Sequence, residues 1–234
     1  KMREFLRRSA TLLAERMQAR PNRSELRNWG EAFPDYHLWI HISGSVAPPI
    51  HSFSTALFCG EWFKAAIRSG QGYDTLLTLD KFYPRYLSQP WGIVNFFLPI
   101  VNPKLDAAFH TNATLAYLVP AGVALYPRYL QLEMVQQILQ IKKEFGVSSA
   151  DFFPPWQKPD LLEIKSGKNI QVGTWIKNDQ ALLLAIGNCG STPEKIVIQT
   201  KKTGKATIRF GQNNIKQSGS TIHMELLSNT LTML

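Results

Sequence analysis

Asp151-Phe152-Phe153-Pro154-Pro155-Trp156 divides the chain into two kinds of sequence. Before it, apolar runs alternate with segments of helical period. After it, from Leu161 to Leu234, short β-type runs are punctuated by Gly, Asn and Ser. A mixed α/β layer followed by an all-β layer predicts two structural units, here residues 1–157 and 158–234.

Just upstream of the break, Leu130, Met134, Ile138, Ile141 and Phe145 recur at helical spacing, and Gly146 sits where a left-handed cap belongs. Further back, Met2, Phe5, Leu6, Leu13 and Met17 predict an amphipathic helix that Pro21 ends. Tyr36–Ile42 reads as a buried strand, Ser43–Ser54 as a loop with Pro48 and Pro49, and Thr55–Arg68 as a helix containing Gly60. Tyr73–Leu79 and Ile93–Ile100 read as strands, and Leu105–Leu118 fits helix and strand equally. Strands alternating with helices imply parallel β-structure with crossovers. They are too few to close an eight-stranded barrel, so the expected fold class is α/β plus all-β: a partial (β/α) barrel, then a small antiparallel β-sandwich. Lys1 opens directly into a helix pattern, and the expectation is that the rest of the barrel precedes it.

Downstream, strands are expected at Leu161–Lys165, Ile170–Ile176, Ala181–Ile186, Lys195–Thr200, Lys205–Phe210, Thr221–Leu226 and Thr230–Leu234. Lys177-Asn178-Asp179-Gln180 and Lys202-Thr203-Gly204-Lys205 are turn signals between them.

Composition removes several function classes. The 234 residues are 44% apolar, which fits a globular chain. The longest apolar stretch, Gly92 to Val101, is about half of what a membrane span needs, so no membrane partner is expected. The net charge is +9 and the pI about 9.6. The basic residues are dispersed, with Arg3, Arg7 and Arg8 on one helix face and Lys201, Lys202 and Lys205 at a turn, so nucleic acid is not the expected partner. Two cysteines, Cys59 and Cys189, make neither a disulfide framework nor a zinc pattern. His37 and His41 stand four apart on a strand, a spacing that makes no metal clamp. No Gly-rich phosphate loop or nucleophile elbow is present, and neither a cofactor nor a metal is expected.

His41-Ile42-Ser43-Gly44, Pro48-Pro49, Ser52-Phe53-Ser54 and Gly60-Glu61 follow one another in an order that resembles large bacterial glycoside-hydrolase-like proteins. Phe82 to Gly92, with Arg85 and Trp91, resembles the next repeat of that barrel. Ala150–Trp156 resembles its close, and Val172–Asn188 the first hairpin of its C-terminal sandwich. The resemblance implies hydrolysis of a complex glycan, with this chain supplying one side of the sugar cleft and the preceding part of the same protein the other. Two positions depart from it: Ser54 stands where an aspartate is expected, and Pro155 where a tyrosine is. Loss of that carboxylate keeps a second reading open, a non-catalytic glycan-binding or structural module.

Glycoside hydrolysis needs two carboxyl groups, and barrel enzymes carry them at the C-terminal ends of strands. Glu61 matches the Gly-Glu of the resemblance; the competing role is a helix-start glutamate favoured by the dipole. Asp80 follows the Tyr73–Leu79 run and is either a strand-end acid or an N-cap. The partner carboxylate is expected upstream of Lys1. His41 is placed to hydrogen-bond a sugar hydroxyl or to sit satisfied in the core. Arg85 suits an acidic sugar or an ion pair with Asp80 or Asp74. Trp91 and Trp156 suit sugar stacking or core packing.

Overall fold

The computed structural model describes residues 8, 39–41, 56–86, 94–100, 106–157, 159–178, 181–201, 204–211 and 214–234. The expected N-terminal helix, apart from Arg8, and the Ser43–Ser54 loop lie outside them. The fold is mixed α/β, with one parallel and two antiparallel four-stranded sheets.

The parallel sheet comprises β1 (Trp39–His41), β2 (Ala56–Cys59), β3 (Val94–Phe97) and β4 (Ala124–Leu125), in the order β1-β2-β3-β4. Between β2 and β3 run a 3-10 turn (Glu61–Phe63) and three short helices, α1 (Lys64–Arg68), α2 (Tyr73–Leu76) and α3 (Leu79–Tyr86). Between β3 and β4 runs α4 (Ala107–Leu118), and α5 (Leu132–Phe145) follows β4.

Two expectations are corrected here. Thr55–Arg68 is not one helix. Ala56–Cys59 is a strand flanked by β1 and β3, so it is buried without alternation. Gly60, at φ +127°, turns the chain out of it, and a Cβ there would lie 2.7 Å from the Leu98 carbonyl oxygen. Tyr73–Leu79 is not a strand either. Tyr73 and Leu77, four residues apart, both bury in the core beneath the parallel sheet, and that 3.6-residue spacing overrides the β-propensity of the run. Asp80 therefore lies in α3, away from any strand end.

Of the Leu105–Leu118 segment, Ala107–Leu118 is helix α4. Asp106 caps it, its Oδ1 accepting from the N–H groups of Ala108 (2.9 Å) and Phe109 (3.0 Å). Ala113 through Leu118 are all buried, so the helix is apolar all round and carries no period to read.

The antiparallel sheets are β12 (Thr230–Met233), β8 (Ala181–Asn188), β7 (Ile170–Lys177) and β5 (Asp151–Phe153) in one, and β10 (Ile215–Ser218), β11 (Thr221–Leu226), β9 (Glu194–Thr200) and β6 (Leu162–Ser166) in the other. Ile186, Ile196, Ile198, Ile222 and Leu226 fill the space between them. The expected strand Lys205–Phe210 is absent. Its Ala206 N–H instead donates to the Gln217 side chain at 2.9 Å, and Phe210 makes an isolated bridge to Met233. The strand beside β11 is β10, which turns through Gly219 (φ +58°) in a two-residue hairpin loop. Asp151–Phe153 joins the antiparallel layer by pairing with β7.

Helix α4 connects the layers. On one side Ala116, Tyr117 and Leu118 belong to the core under the parallel sheet. On the other, Leu115 and Val119 pack with Ile138, Trp175, Leu183 and Leu231. Gln171 of β7, 1% exposed, donates from Nε2 to the Ala116 carbonyl at 2.6 Å and the Tyr117 carbonyl at 2.9 Å. Tyr117 Oη donates to the Cys189 carbonyl at 3.0 Å. Gly187 and Gly173 permit this approach, since a Cβ at Gly187 would fall 2.0 Å from Ala116 O and one at Gly173 2.1 Å from Pro120 O.

Replacing Gln171 with Leu keeps the volume but removes the amide donor from two buried carbonyls, and at Ala116 O the Cys189 thiol at 3.6 Å is a weak substitute. We expect a loss of about 1–3 kcal/mol in urea unfolding, and an unchanged midpoint would show that the amide bonds are dispensable. Gly187→Ala should be worse, since the clash is with backbone. His110 of α4 is 5% exposed, stacks on Tyr73 at 5.9 Å, and its Nε2 has no hydrogen-bond partner among the described residues. Burial lowers its pKa below the ordinary 6.5, so the native state holds it neutral. As pH falls below about 6.5 the unfolded chain takes up a proton that the native chain refuses, and stability is lost. His110→Phe should flatten that limb of the stability–pH curve, and an equally steep limb would assign the acid sensitivity to other groups.

Candidate functional site

The C-terminal ends of β1 and β2 bring two sequence-predicted residues together. His41 is the last residue of β1 and pairs in register with Phe58, one residue before the end of β2. Gly60 then reverses the chain, held by the Leu98 N–H donating to the Cys59 carbonyl at 2.7 Å, and Glu61 emerges beside His41. His41 Nε2 and Glu61 Oε2 are 3.4 Å apart, with 48% and 42% of their side chains exposed. Both groups are accessible to a ligand and close enough to share a proton or one hydroxyl.

They line an open cleft of about 250 Å³ together with Phe58, Leu98–Ile100, Tyr126, Arg128 and Tyr129. Its aromatic wall is built from the sheet. Phe58 stacks on its cross-strand neighbour Phe96 at 4.7 Å, and Tyr126 meets Phe58 edge-on at 5.7 Å. The Ile100 N–H donates to Tyr73 Oη at 2.9 Å, which fixes the rim, and burial pushes the Tyr73 phenol above its ordinary range.

The far wall is a tight turn that follows β4. The Leu130 N–H donates to the Pro127 carbonyl at 3.1 Å, closing a four-residue turn. Tyr129 occupies its third position with φ +71°, where such turns ordinarily carry glycine or asparagine. The Arg128 guanidinium lies 4.8 Å from the centre of the Tyr129 ring, and Tyr129 is 49% exposed. Gln131 N–H donates to the buried Thr111 Oγ1 of α4 at 2.9 Å, which anchors the turn to that helix.

Sequence reasoning did not single out Tyr126, Arg128 and Tyr129. A signal was present: Tyr83-Pro84-Arg85-Tyr86-Leu87 recurs as Tyr126-Pro127-Arg128-Tyr129-Leu130. The first copy lies largely within α3 and the second is the turn. A pentapeptide adopting two conformations is governed by its surroundings rather than by its own propensity.

The remaining predicted residues lie elsewhere. Asp80 is exposed near the start of α3, and a hydrogen bond from the Thr78 hydroxyl is the main cause holding its carboxyl below the ordinary range. Trp156 is half-buried against the core and meets Tyr83 edge-on at 5.3 Å. The side chain of Arg85 and the whole of Trp91 lie outside the described residues. A larger cavity of about 570 Å³ opens between the antiparallel sheets, walled by Leu184, Ile198 and Leu234. Among the described residues its one carboxylate, Glu144, is bonded to Arg209, and its other charged side chains, Lys177 and Lys205, are cations. Among the described residues no cluster of three His, Cys, Asp or Glu is placed to hold a metal ion, and no helix is long and apolar enough to cross a membrane.

No protein-family model and no curated protein matches the chain. Among solved structures it is similar to a noncanonic maltogenic alpha-amylase, AmyB, from Thermotoga neapolitana, with 8% identity and a TM-score of 0.45. That similarity covers 89% of this chain and 64% of the amylase, so the chain spans less than two thirds of that protein's length.

Tyr129→Gly tests the strain in the turn. Glycine accepts positive φ without a steric penalty, which offsets the small area lost. We expect the unfolding free energy to stay within about 1 kcal/mol of the parent or to rise, and a loss several times larger would show that the ring is structural.

Proposed function

We propose that this chain belongs to a glycoside-hydrolase-related protein acting on a complex glycan, and that the cleft between the β2 and β4 ends is its sugar site. The observation that carries the reading is the His41–Glu61 pair, 3.4 Å apart at adjacent ends of parallel strands and facing an aromatic wall. Sugars present hydroxyl groups at their rim and C–H faces above and below the ring. An acid–imidazole pair meets the first, and Phe58, Tyr126 and Tyr129 meet the second. In this proposal residues 1–157 form the closing part of a (β/α) barrel and residues 158–234 a β-sandwich, with β5 lending its edge to the latter. Strand-end placement is where such barrels do chemistry.

Glu61 takes the role of general acid or base, and His41 orients it or binds a hydroxyl. Asp80 is retained as a weaker acid candidate. Arg85, Trp91 and Trp156 remain candidate sugar contacts. The reaction requires a second carboxyl group, and Glu61 is the one carboxylate lining the cleft among the described residues. That observation, with Ser54 in place of the expected aspartate, favours a second reading in which the site binds glycan without cleaving it.

The two readings part on one variant. In the complete protein, Glu61→Gln keeps the shape and removes the proton-transfer group. Turnover of a cleaved glycan should fall on the order of a hundredfold or more, with binding little changed. A parent protein that binds oligosaccharide but releases no sugar supports the module. Turnover unaffected by the substitution removes Glu61 from the chemistry.

A further inference from the structure

We infer that the sugar bound in this cleft carries an anionic group, a carboxylate or a sulfate ester, and that Arg128 selects it. The inference rests on the glycan reading above and narrows its substrate class. Arg128 is the one Lys or Arg lining the cleft among the described residues, and Glu61 the one carboxylate. The two come from different walls, Glu61 from the turn after β2 and Arg128 from the turn after β4. A neutral sugar needs no permanent cation there.

The guanidinium is also held in advance. Its Cζ lies over the Tyr129 ring, 4.8 Å from the centre, and that ring is carried by a turn whose third residue adopts an unfavourable φ of +71°. A strained, exposed aromatic supporting a cation over a cleft is a costly arrangement of the kind that clusters at ligand clamps. A guanidinium held over a ring keeps N–H groups for a planar or tetrahedral oxyanion, which it meets with paired hydrogen bonds. A lysine ammonium cannot stack and fork in this way. Glu61 would repel an anion placed beside it, so the charged substituent lies at the Arg128 end and hydroxyl groups face His41 and Glu61. The net charge of +9 acts at longer range and raises the local concentration of a polyanionic glycan.

The test is titration calorimetry of the chain with three length-matched probes: a neutral galacto-oligosaccharide, an oligogalacturonate and a sulfated galacto-oligosaccharide. At low salt we expect one of the anionic probes to bind at least about tenfold tighter than the neutral one. Which of the two it is distinguishes carboxylate from sulfate. Arg128→Gln should abolish the preference, bringing the anionic probes to the affinity of the neutral one measured on the same variant, and Arg128→Lys should restore only part of it. Arg128 is exposed, so its loss should not unfold the chain, and far-ultraviolet circular dichroism checks this. Equal binding of all three probes overturns the anionic inference and leaves the glycan reading intact. An anionic preference that survives Arg128→Gln overturns the assignment to Arg128. Binding of none of the probes overturns both readings.

Discussion

The rest of the structure depends on one buried polar contact, the Gln171 side-chain amide donating to the last turn of α4. A helix end buried in a protein interior has carbonyls with no intrahelical partner. Ala116 and Tyr117 present two of them to β7, and Gln171 Nε2 answers both. The amide oxygen finds no donor among the described residues, so the two bonds are made at the expense of a third. Because Gly173 and Gly187 leave no Cβ in the way, the helix lies directly on the sheet. Helix α4 thereby becomes part of two cores, and the parallel and antiparallel layers share a wall instead of a linker.

That wall positions the site. From the same helix, Thr111 Oγ1 accepts the Gln131 N–H and fixes the end of the turn bearing Arg128 and Tyr129. Tyr73, which stacks on His110 of α4, holds the Ile100 N–H on the opposite rim. Thus a helix with no side chain in the cleft sets the spacing of its walls. The cleft itself is assembled at two positions of positive φ, Gly60 and Tyr129. One is glycine because the Leu98 backbone leaves no room for a Cβ. The other is not glycine, and the aromatic ring there is the part that function would require.

Much of this was legible in the sequence, for definite reasons. The change from parallel to antiparallel strands near Phe152–Trp156 was visible because the apolar period changes there, although Asp151–Phe153 already pairs with β7. Helix α5 was legible because one face is buried and the other wet, with Gly146 at φ +80° ending it. Helix α4 was not, because burial on every side erases the period. Ala56–Cys59 and Tyr73–Leu76 were misread for a related reason: in short segments, partners distant in sequence outweigh local preference. His41 was readable from its place near the end of a strand run, and Glu61 through the Gly-Glu of the resemblance, inside a segment read as helix. The second wall of the cleft was not read, since a Tyr-Pro-Arg-Tyr string is helical at one place and a turn at another.

The central claim is that the strand ends between β2 and β4 form a glycan site whose geometry α4 sets. Hydrogen–deuterium exchange of the chain, with and without oligosaccharide at millimolar concentration, tests it most directly. The account predicts slowed exchange in residues 58–63 and 126–131, with β6, β9, β10 and β11 unchanged. Exchange unaltered throughout, or slowed only around the cavity between the antiparallel sheets, would contradict it.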